Sequence, residues 1–215
     1  MEDRIMQYKE IIEEALQLEK PSTLLNQLLD KAWFQEKPFD MLYRLNLTEQ
    51  SPLHHPEGDV WKHTMLVVNE AAKVKHLSKH PRAFMWAALL HDIGKPATTR
   101  NRKGKITAYN HDSVGAPLAV DFLKALGEEE EFIKEVTALV RWHMQIMYVT
   151  RNLPFAQVPQ MLKEVDPKEI SLLGFCDRMG RTGIDEKEQE RDIRLFYEMI
   201  SKVKIHIRSD RKDEG

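Results

Sequence analysis

Apolar residues recur at helical spacing along most of this chain, and in five segments the same apolar stripe also carries a histidine or an aspartate. The period is that of amphipathic helices packed around a shared core. In the first segment Ile5, Tyr8, Ile12, Ala15 and Leu16 fall on one face. Pro21 interrupts, "STLLNQLLDKAWF" reads as a second helix, and Pro38 opens a short third segment, "PFDMLYRLNL". "TEQSPLHHPEGD" has the composition of a loop, and Asp59 at its end is a natural cap for a helix over "VWKHTMLVVNEAAKVKHLSK". The next helix is expected over 81–92, ended by Gly94 and Pro96. After the basic loop "ATTRNRKGKITAYN", with a short hairpin around "RKGK", helices are expected over 111–126, 129–149, 155–164, 167–182 and 186–204. Pro117 should kink the first of these or mark its start. Convincing strands are nearly absent, so the expected fold class is all-α. The expected organisation is an N-terminal helical extension over 1–50 packed on a core domain over 51–205, with a flexible tail over 206–215.

The bulk of the sequence narrows the function classes. With 215 residues the chain is long enough for one substantial domain and short for two. A formal charge of −2 does not indicate a generally basic nucleic-acid-binding surface, and no DNA-specific motif is present. The one cysteine, Cys176, allows neither an intrachain disulfide nor a thiolate zinc knuckle, which suits a reducing cytoplasm. The acidic, amphipathic start lacks the apolar core of a signal peptide, and no apolar run approaches the roughly 20 residues of a membrane span. The expected location is cytoplasmic.

The polar residues in the stripes are the informative ones. His63 shares a face with Val60, Val67 and Ala71; His91 with Phe84, Ala87 and Ala88; His143 with Val136, Leu139, Val140 and Met147. Asp177 follows Ile170 and Leu173, and His111 is in register with Val114, Leu118 and Phe122. An unpaired buried polar group costs about 1–3 kcal/mol, more if charged. One such group has a bland explanation, a histidine bonded to a carbonyl or an aspartate in an ion pair. Five helices aiming them inward satisfy one another most economically around a cation, and imidazole nitrogen with carboxylate oxygen suits iron, manganese, nickel, cobalt or zinc.

The order His63, His91-Asp92 and a distant Asp177 resembles the signature of the HD superfamily of metal-dependent phosphohydrolases. The stretches "HHPEGDVWKHT", "LLHDIGKP", "YNHDSVGA" and the upstream "PSTLLNQLLDKAWF" are similar to the HD-type C-terminal portion of certain bacterial tRNA nucleotidyltransferases, over roughly 21–200. The glycine-serine turn and paired aspartates of a nucleotidyltransferase head are not found in this sequence, so tRNA end synthesis is not expected of it. The resemblance implies an HD-domain helical bundle, with His63, His91, Asp92 and Asp177 as ligands of a first divalent metal. His111 and His143 would add a second, with Asp92 bridging the two. One ion or two both remain open. The implied chemistry is hydrolysis of a phosphate ester, either a phosphomonoester or a 2′,3′-cyclic phosphodiester, by metal-activated water. The implied substrate is a nucleotide or an RNA-end phosphate.

Around that core, Asp92, Lys95 and Arg181 are the candidate catalytic residues. Lys95 is either a phosphate-contacting charge or a solvated lysine near a helix end. Arg181 shares the face of Asp177 and is the better phosphate binder of the Arg178–Arg181 pair, with a surface ion pair as its alternative. Glu57 and Asp59 orient the loop or a histidine behind the ligands, while His54 and His55 line a substrate entrance or, preferably, the loop surface, and His76, His80 and His206 are assigned to solvent. Arg100, Arg102, Lys103 and Lys105 form a rim for phosphates or simply a solvated loop. Trp61, Trp86 and Trp142 are core residues before they are base-stacking ones, and Cys176 is core packing. The competing reading is an RNA- or nucleotide-binding helical module with a structural or vestigial metal site.

Overall fold

The computed structural model describes residues 2–183 and 185–213, those from 204 on as helical backbone only. The elements run α1 (Glu2–Gln17), α2 (Ser22–Leu25), α3 (Asp40–Asn46), α4 (Val60–Val74), α5 (Pro81–Leu90), α6 (Lys95–Thr98), β1 (Arg100–Arg102), β2 (Lys105–Thr107), α7 (His111–Ala125), α8 (Glu130–Trp142), α9 (Gln145–Thr150), α10 (Val158–Glu164), α11 (Pro167–Met179) and α12 (Glu186–Asp213). The fold is all-α apart from the hairpin β1–β2, an antiparallel pair joined at Lys103-Gly104. No helix among the described residues is long and apolar enough to cross a membrane.

The bundle packs α4 against α5 and α11, α5 against α8, and α7 against α8, while α12 lies on α9 and α11. One continuous core runs from Ile12 to Ile200. Beyond its first two residues α5 is buried on all sides, from Ala83 to Leu90, which is why that stretch reads as an unbroken apolar run rather than a stripe. The N-terminal segment joins this core through aromatics: Tyr8 stacks on Trp33 at 4.1 Å, Trp33 meets Phe39 edge-on, and Phe39 meets Phe122 of α7. The three candidate stacking tryptophans are all core, each with its indole N–H bonded: Trp61 to Asn26, Trp86 to Glu13 and Trp142 to Glu164.

Several boundaries differ from the sequence expectation. "STLLNQLLDKAWF" is one short α-helix followed by tight turns over Asn26–Asp30 and Ala32–Gln35. Helix 81–92 ends at Leu90, and Pro96 begins α6 instead of ending α5, in the helix's first turn, where its missing N–H is no loss. The expected helix 129–149 is two helices that break at His143-Met144. The breaks at 91 and 143 have a common cause. The Nδ1–H of His91 donates to the carbonyl of Ala88 at 2.9 Å, and that of His143 to the carbonyl of Val140 at 2.7 Å. Each imidazole satisfies a carbonyl left free at its helix end. Pro117 lies inside α7, which starts at His111, and the buried face of that helix is His111, Gly115, Ala119 and Phe122, with Val114 and Leu118 half-buried. α12 continues to Asp213, past the expected end near 204; the side chain of His206 lies outside the described residues.

Candidate metal centre

The structure brings the six candidate ligands to one buried point from five directions. His63 comes from the first turn of α4, His91 and Asp92 from the turn after α5, His111 from the start of α7, His143 from the turn after α8, and Asp177 from the last turn of α11; all six are buried. They fall into two overlapping triads, His63–His91–Asp92 and Asp92–His111–His143, within each of which one ligand atom per residue lies within 4.8 Å of the others. Asp92 belongs to both. Its Oδ2 is 3.2 Å from His91 Nε2 and 3.9 Å from His63 Nε2, while its Oδ1 is 3.4 Å from His111 Nε2. Asp177 joins through His63, whose Nε2 is 3.0 Å from Asp177 Oδ1.

The protons of this cluster do not add up without a cation. His111, like His91 and His143, donates its Nδ1–H to a main-chain carbonyl, that of Ala108 at 2.8 Å. A carbonyl oxygen only accepts, so Nδ1 carries the proton and the neutral ring presents a lone pair at Nε2. Yet His111 Nε2 and His143 Nε2 face each other at 3.1 Å. A hydrogen bond there needs one imidazolium. Burial, with Lys95 beside His111, pushes the pKa of His111 down; burial, with His111 and His91 as neighbours, pushes that of His143 down to about 4. Two lone pairs therefore meet in the interior, and the buried atoms His91 Nε2 and Asp92 Oδ2 lie 3.2 Å apart without an aligned hydrogen bond, Asp92 Oδ2 being balanced only by its ion pair with Lys95. His91 leans the other way: burial disfavours its imidazolium, but the charge of Asp92 outweighs burial and raises its pKa. Burial likewise opposes ionisation of Asp92 and Asp177. His91 and Lys95 around Asp92, and Arg181 and His63 around Asp177, outweigh it and keep both carboxyls well below the usual range. Ionised oxygens and lone-pair nitrogens at this spacing are the donor set of a divalent transition metal, and the residues fit one ion or two.

The surrounding residues were less legible. Lys95 is not solvated: it is 7% exposed, and its ammonium sits 2.7 Å from Asp92 Oδ2 and 2.6 Å from Gln50 Oε1. Gln50, unremarked in the sequence, also donates to the carbonyl of Asp59 at 3.2 Å, so it ties Lys95 to the loop before α4. His55 is not a surface residue. Its Nδ1 is 2.8 Å from Glu57 Oε1, and the same oxygen is 2.9 Å from His63 Nδ1, though not in hydrogen-bonding alignment. Burial opposes the charge on Glu57, and its hydrogen bond with His55 and the close approach of His63 more than offset this, holding it ionised. Asp59 accepts from Lys62 N as the cap of α4. Arg181 bonds Asp177 Oδ1 at 3.3 Å, and Arg178 approaches Asp192 at 3.9 Å. Each keeps one buried guanidinium N–H group without a partner, Arg181 Nε and Arg178 NH2. Cys176 is buried, and burial pushes its thiol up, which rules out a ready thiolate. His54, His76 and His80 are exposed, as are Arg100, Arg102, Lys103 and Lys105 of the hairpin.

The cluster is the floor of a cleft of about 920 Å³, at the upper end of the small-ligand range. Asp92, His111, His143 and Asp177 reach it, and Lys95, Lys103, Lys105, Arg151, Arg178 and Arg181 line it. The opening is therefore basic although the chain as a whole is slightly acidic. One glycine fixes the floor. A Cβ on Gly94 would lie 2.1 Å from the carbonyl oxygen of His111 and 2.7 Å from Gly115 N, so the turn after Asp92 packs main chain against main chain on α7.

Residues 60–178 match the family model for the HD domain. The chain is similar to the multifunctional CCA protein of Actinobacillus pleuropneumoniae serotype 5b (strain L20), with 41% identity over 176 residues, covering 78% of this chain and 41% of that protein. It is also similar to the multifunctional CCA protein of Aromatoleum aromaticum, at 32% identity over 67% of this chain and 35% of the relative. The A-adding tRNA nucleotidyltransferase of Deinococcus radiodurans is 34% identical over 66% of this chain and 32% of its own length. The chain thus spans about two fifths or less of the length of these relatives.

Proposed function

This chain belongs to the HD-domain family, and from that premise we propose that it is a metal-dependent phosphohydrolase acting on phosphate esters of nucleotides or RNA ends, as phosphomonoesters or 2′,3′-cyclic phosphodiesters. The observation that carries the reading is the facing pair of imidazole lone pairs, His111 and His143, beside a carboxylate shared with a second triad, at the floor of a basic cleft. His63, His91, Asp92 and Asp177 would hold one divalent ion, and Asp92, His111 and His143 a second; manganese, iron, cobalt, nickel and zinc all suit the donors. Such ions, when bound, neutralise charge on the phosphoryl oxygens and make water a usable nucleophile near neutral pH.

The chain's own residues then have separable tasks. Asp92 faces both triads through its two oxygens, and Lys95, anchored by Gln50, holds that carboxylate ionised. Glu57 orients His63 from behind its other nitrogen. Arg181 and Arg178 line the cleft as cations for a phosphate, Arg181 being the stronger candidate because it also touches Asp177 while Arg178 NH2 faces Asp192. The similarity to an A-adding tRNA nucleotidyltransferase supports an RNA end as a substrate for the same cleft.

The test is elemental analysis of protein purified without chelator, with phosphate release assayed on adenosine 3′-monophosphate and on adenosine 2′,3′-cyclic phosphate. Bound transition metal, with turnover quenched by chelator and restored by manganese, is expected. Steeply salt-dependent RNA binding with no metal-dependent turnover would overturn the hydrolase reading and leave a binding module.

A further inference from the structure

With the three helix-borne tryptophans buried, the accessible aromatics of the cleft lie elsewhere. Tyr148 of α9 and Phe155 of the following loop form one wall, and Tyr109 stands in the same cleft from the segment before α7. Phe155 is 47% exposed and Tyr109 68%. The ring of Phe155 lies 5.5 Å from that of Tyr148, tilted by 56°. An exposed phenyl ring on a loose loop would mean little. This loop is not loose. Gln145, fully buried, donates its Nε2–H to the carbonyl of Phe155 at 3.3 Å and accepts from Gln157 N at 2.9 Å. Leu153 N donates to the carbonyl of Tyr148 at 2.8 Å. The main chain is therefore fixed before Phe155 by the turn onto Tyr148 and from its carbonyl onward by an interior amide, and the ring is held out into the cleft where it gains little burial. Arg151, from the turn between the two rings, lines the same wall.

We propose that Tyr148 and Phe155 form a base subsite, in which a nucleobase stacks on the face of Phe155 while its phosphate reaches the Asp92 floor. A flat aromatic ligand with polar edges matches this wall better than a sugar phosphate or an aliphatic ester does. Phe155 supplies a sequence-tolerant stacking face, and the half-buried Tyr148 hydroxyl supplies a donor, its pKa pushed up to about 12 chiefly by burial. Arg151 adds a cation for a base edge or a second phosphate. The proposal rests on the hydrolase reading for the direction of the phosphate, but the subsite itself is a binding statement.

The experiment uses the full chain with two readouts. With manganese-loaded protein, the ratio of kcat/KM for adenosine 3′-monophosphate to that for glycerol 2-phosphate is compared between wild type and Phe155→Ala. The ratio should fall about tenfold in the variant, mostly through KM for the nucleotide. An unchanged ratio overturns the subsite, even if both esters are cleaved. With metal-free protein, saturation-transfer NMR on adenosine should show base protons in contact with wild type and a weakened signal with Phe155→Ala and Phe155→Leu, the leucine variant keeping the apolar bulk without the π-face. Base contact without any ester turnover would sink the hydrolase and keep the subsite. Turnover without base contact would do the reverse.

Discussion

Two charged clusters in this protein are built on opposite principles. On the outer side of the bundle, Arg82 donates to both Glu13 and Glu128, Lys9 pairs with Glu128 at 2.7 Å, and the indole N–H of Trp86 donates to Glu13. Donors meet acceptors, cations meet anions, and α1 is clamped to α5 and the turn after α7. At the candidate metal centre Lys95 and Arg181 also face carboxylates, but between His111 and His143 acceptor meets acceptor. The lone pairs of His111 and His143 face each other, and His91 Nε2 and Asp92 Oδ2 are buried 3.2 Å apart without an aligned hydrogen bond, the ion pair with Lys95 being what balances that oxygen. Matched charge closes a structure; surplus acceptors in the interior leave room for something positive to enter. The contrast distinguishes a closed network from one that holds an unmatched acceptor pair, without reference to any relative.

The comparison breaks outright if the surplus at the centre can be removed without consequence. Asp92→Ala is expected to abolish stoichiometric metal binding and to lower kcat/KM by at least about a thousandfold, read by elemental analysis and phosphate release. Glu57→Gln leaves every candidate ligand in place but loosens His63. It should weaken metal affinity by about 10- to 100-fold, measurable by competition with a chromogenic chelator. Metal itself should act on the fold. A divalent ion at 100 times its Kd should add about 2.7 kcal/mol, seen as a rise in Tm in wild type and not in Asp92→Ala.

The outer network sharpens the contrast from the other side. Arg82→Met should lower stability by about 1 kcal/mol, a fall in Tm of roughly 2–4 °C for a chain of this size, with metal content unchanged. The smallest effect is on pH dependence. Burial opposes the charge of Glu128, but Arg82 and Lys9 outweigh it and hold its carboxyl below the ordinary value. A depressed folded pKa contributes stability that is present above the unfolded value, about 4.3, and is lost as pH falls through the folded value. Glu128→Gln should therefore flatten part of the loss of Tm on acidification below about pH 5.

Much of this was legible because helical stripes report burial. A polar residue within a stripe has to point inward, and all six candidate ligands do. The breaks at His91 and His143 were hidden because each depends on a ring turning back to a carbonyl in the preceding turn, which spacing does not reveal. Gln50 and Lys95 are 45 positions apart and meet only in the folded chain. His55 looked like loop surface for the same reason; its burial comes from Glu57 and α4. The aromatic wall was missed because Phe155 follows a proline in a segment read as the start of a helix. The helix begins later, at Val158, and the loop before it is held by Gln145.

The contact at Gly94 has a consequence for how this sequence can drift. Side chains on the cleft wall can be exchanged and the rim recharged, because those changes are absorbed by solvent. The gap between the Asp92 turn and the helix bearing His111 is set by main chain alone, and even a methyl group would have to push the two apart. Position 94 therefore works as a gauge block: substrate preference can wander around the cleft while the spacing at its floor stays locked to the one residue that has no side chain.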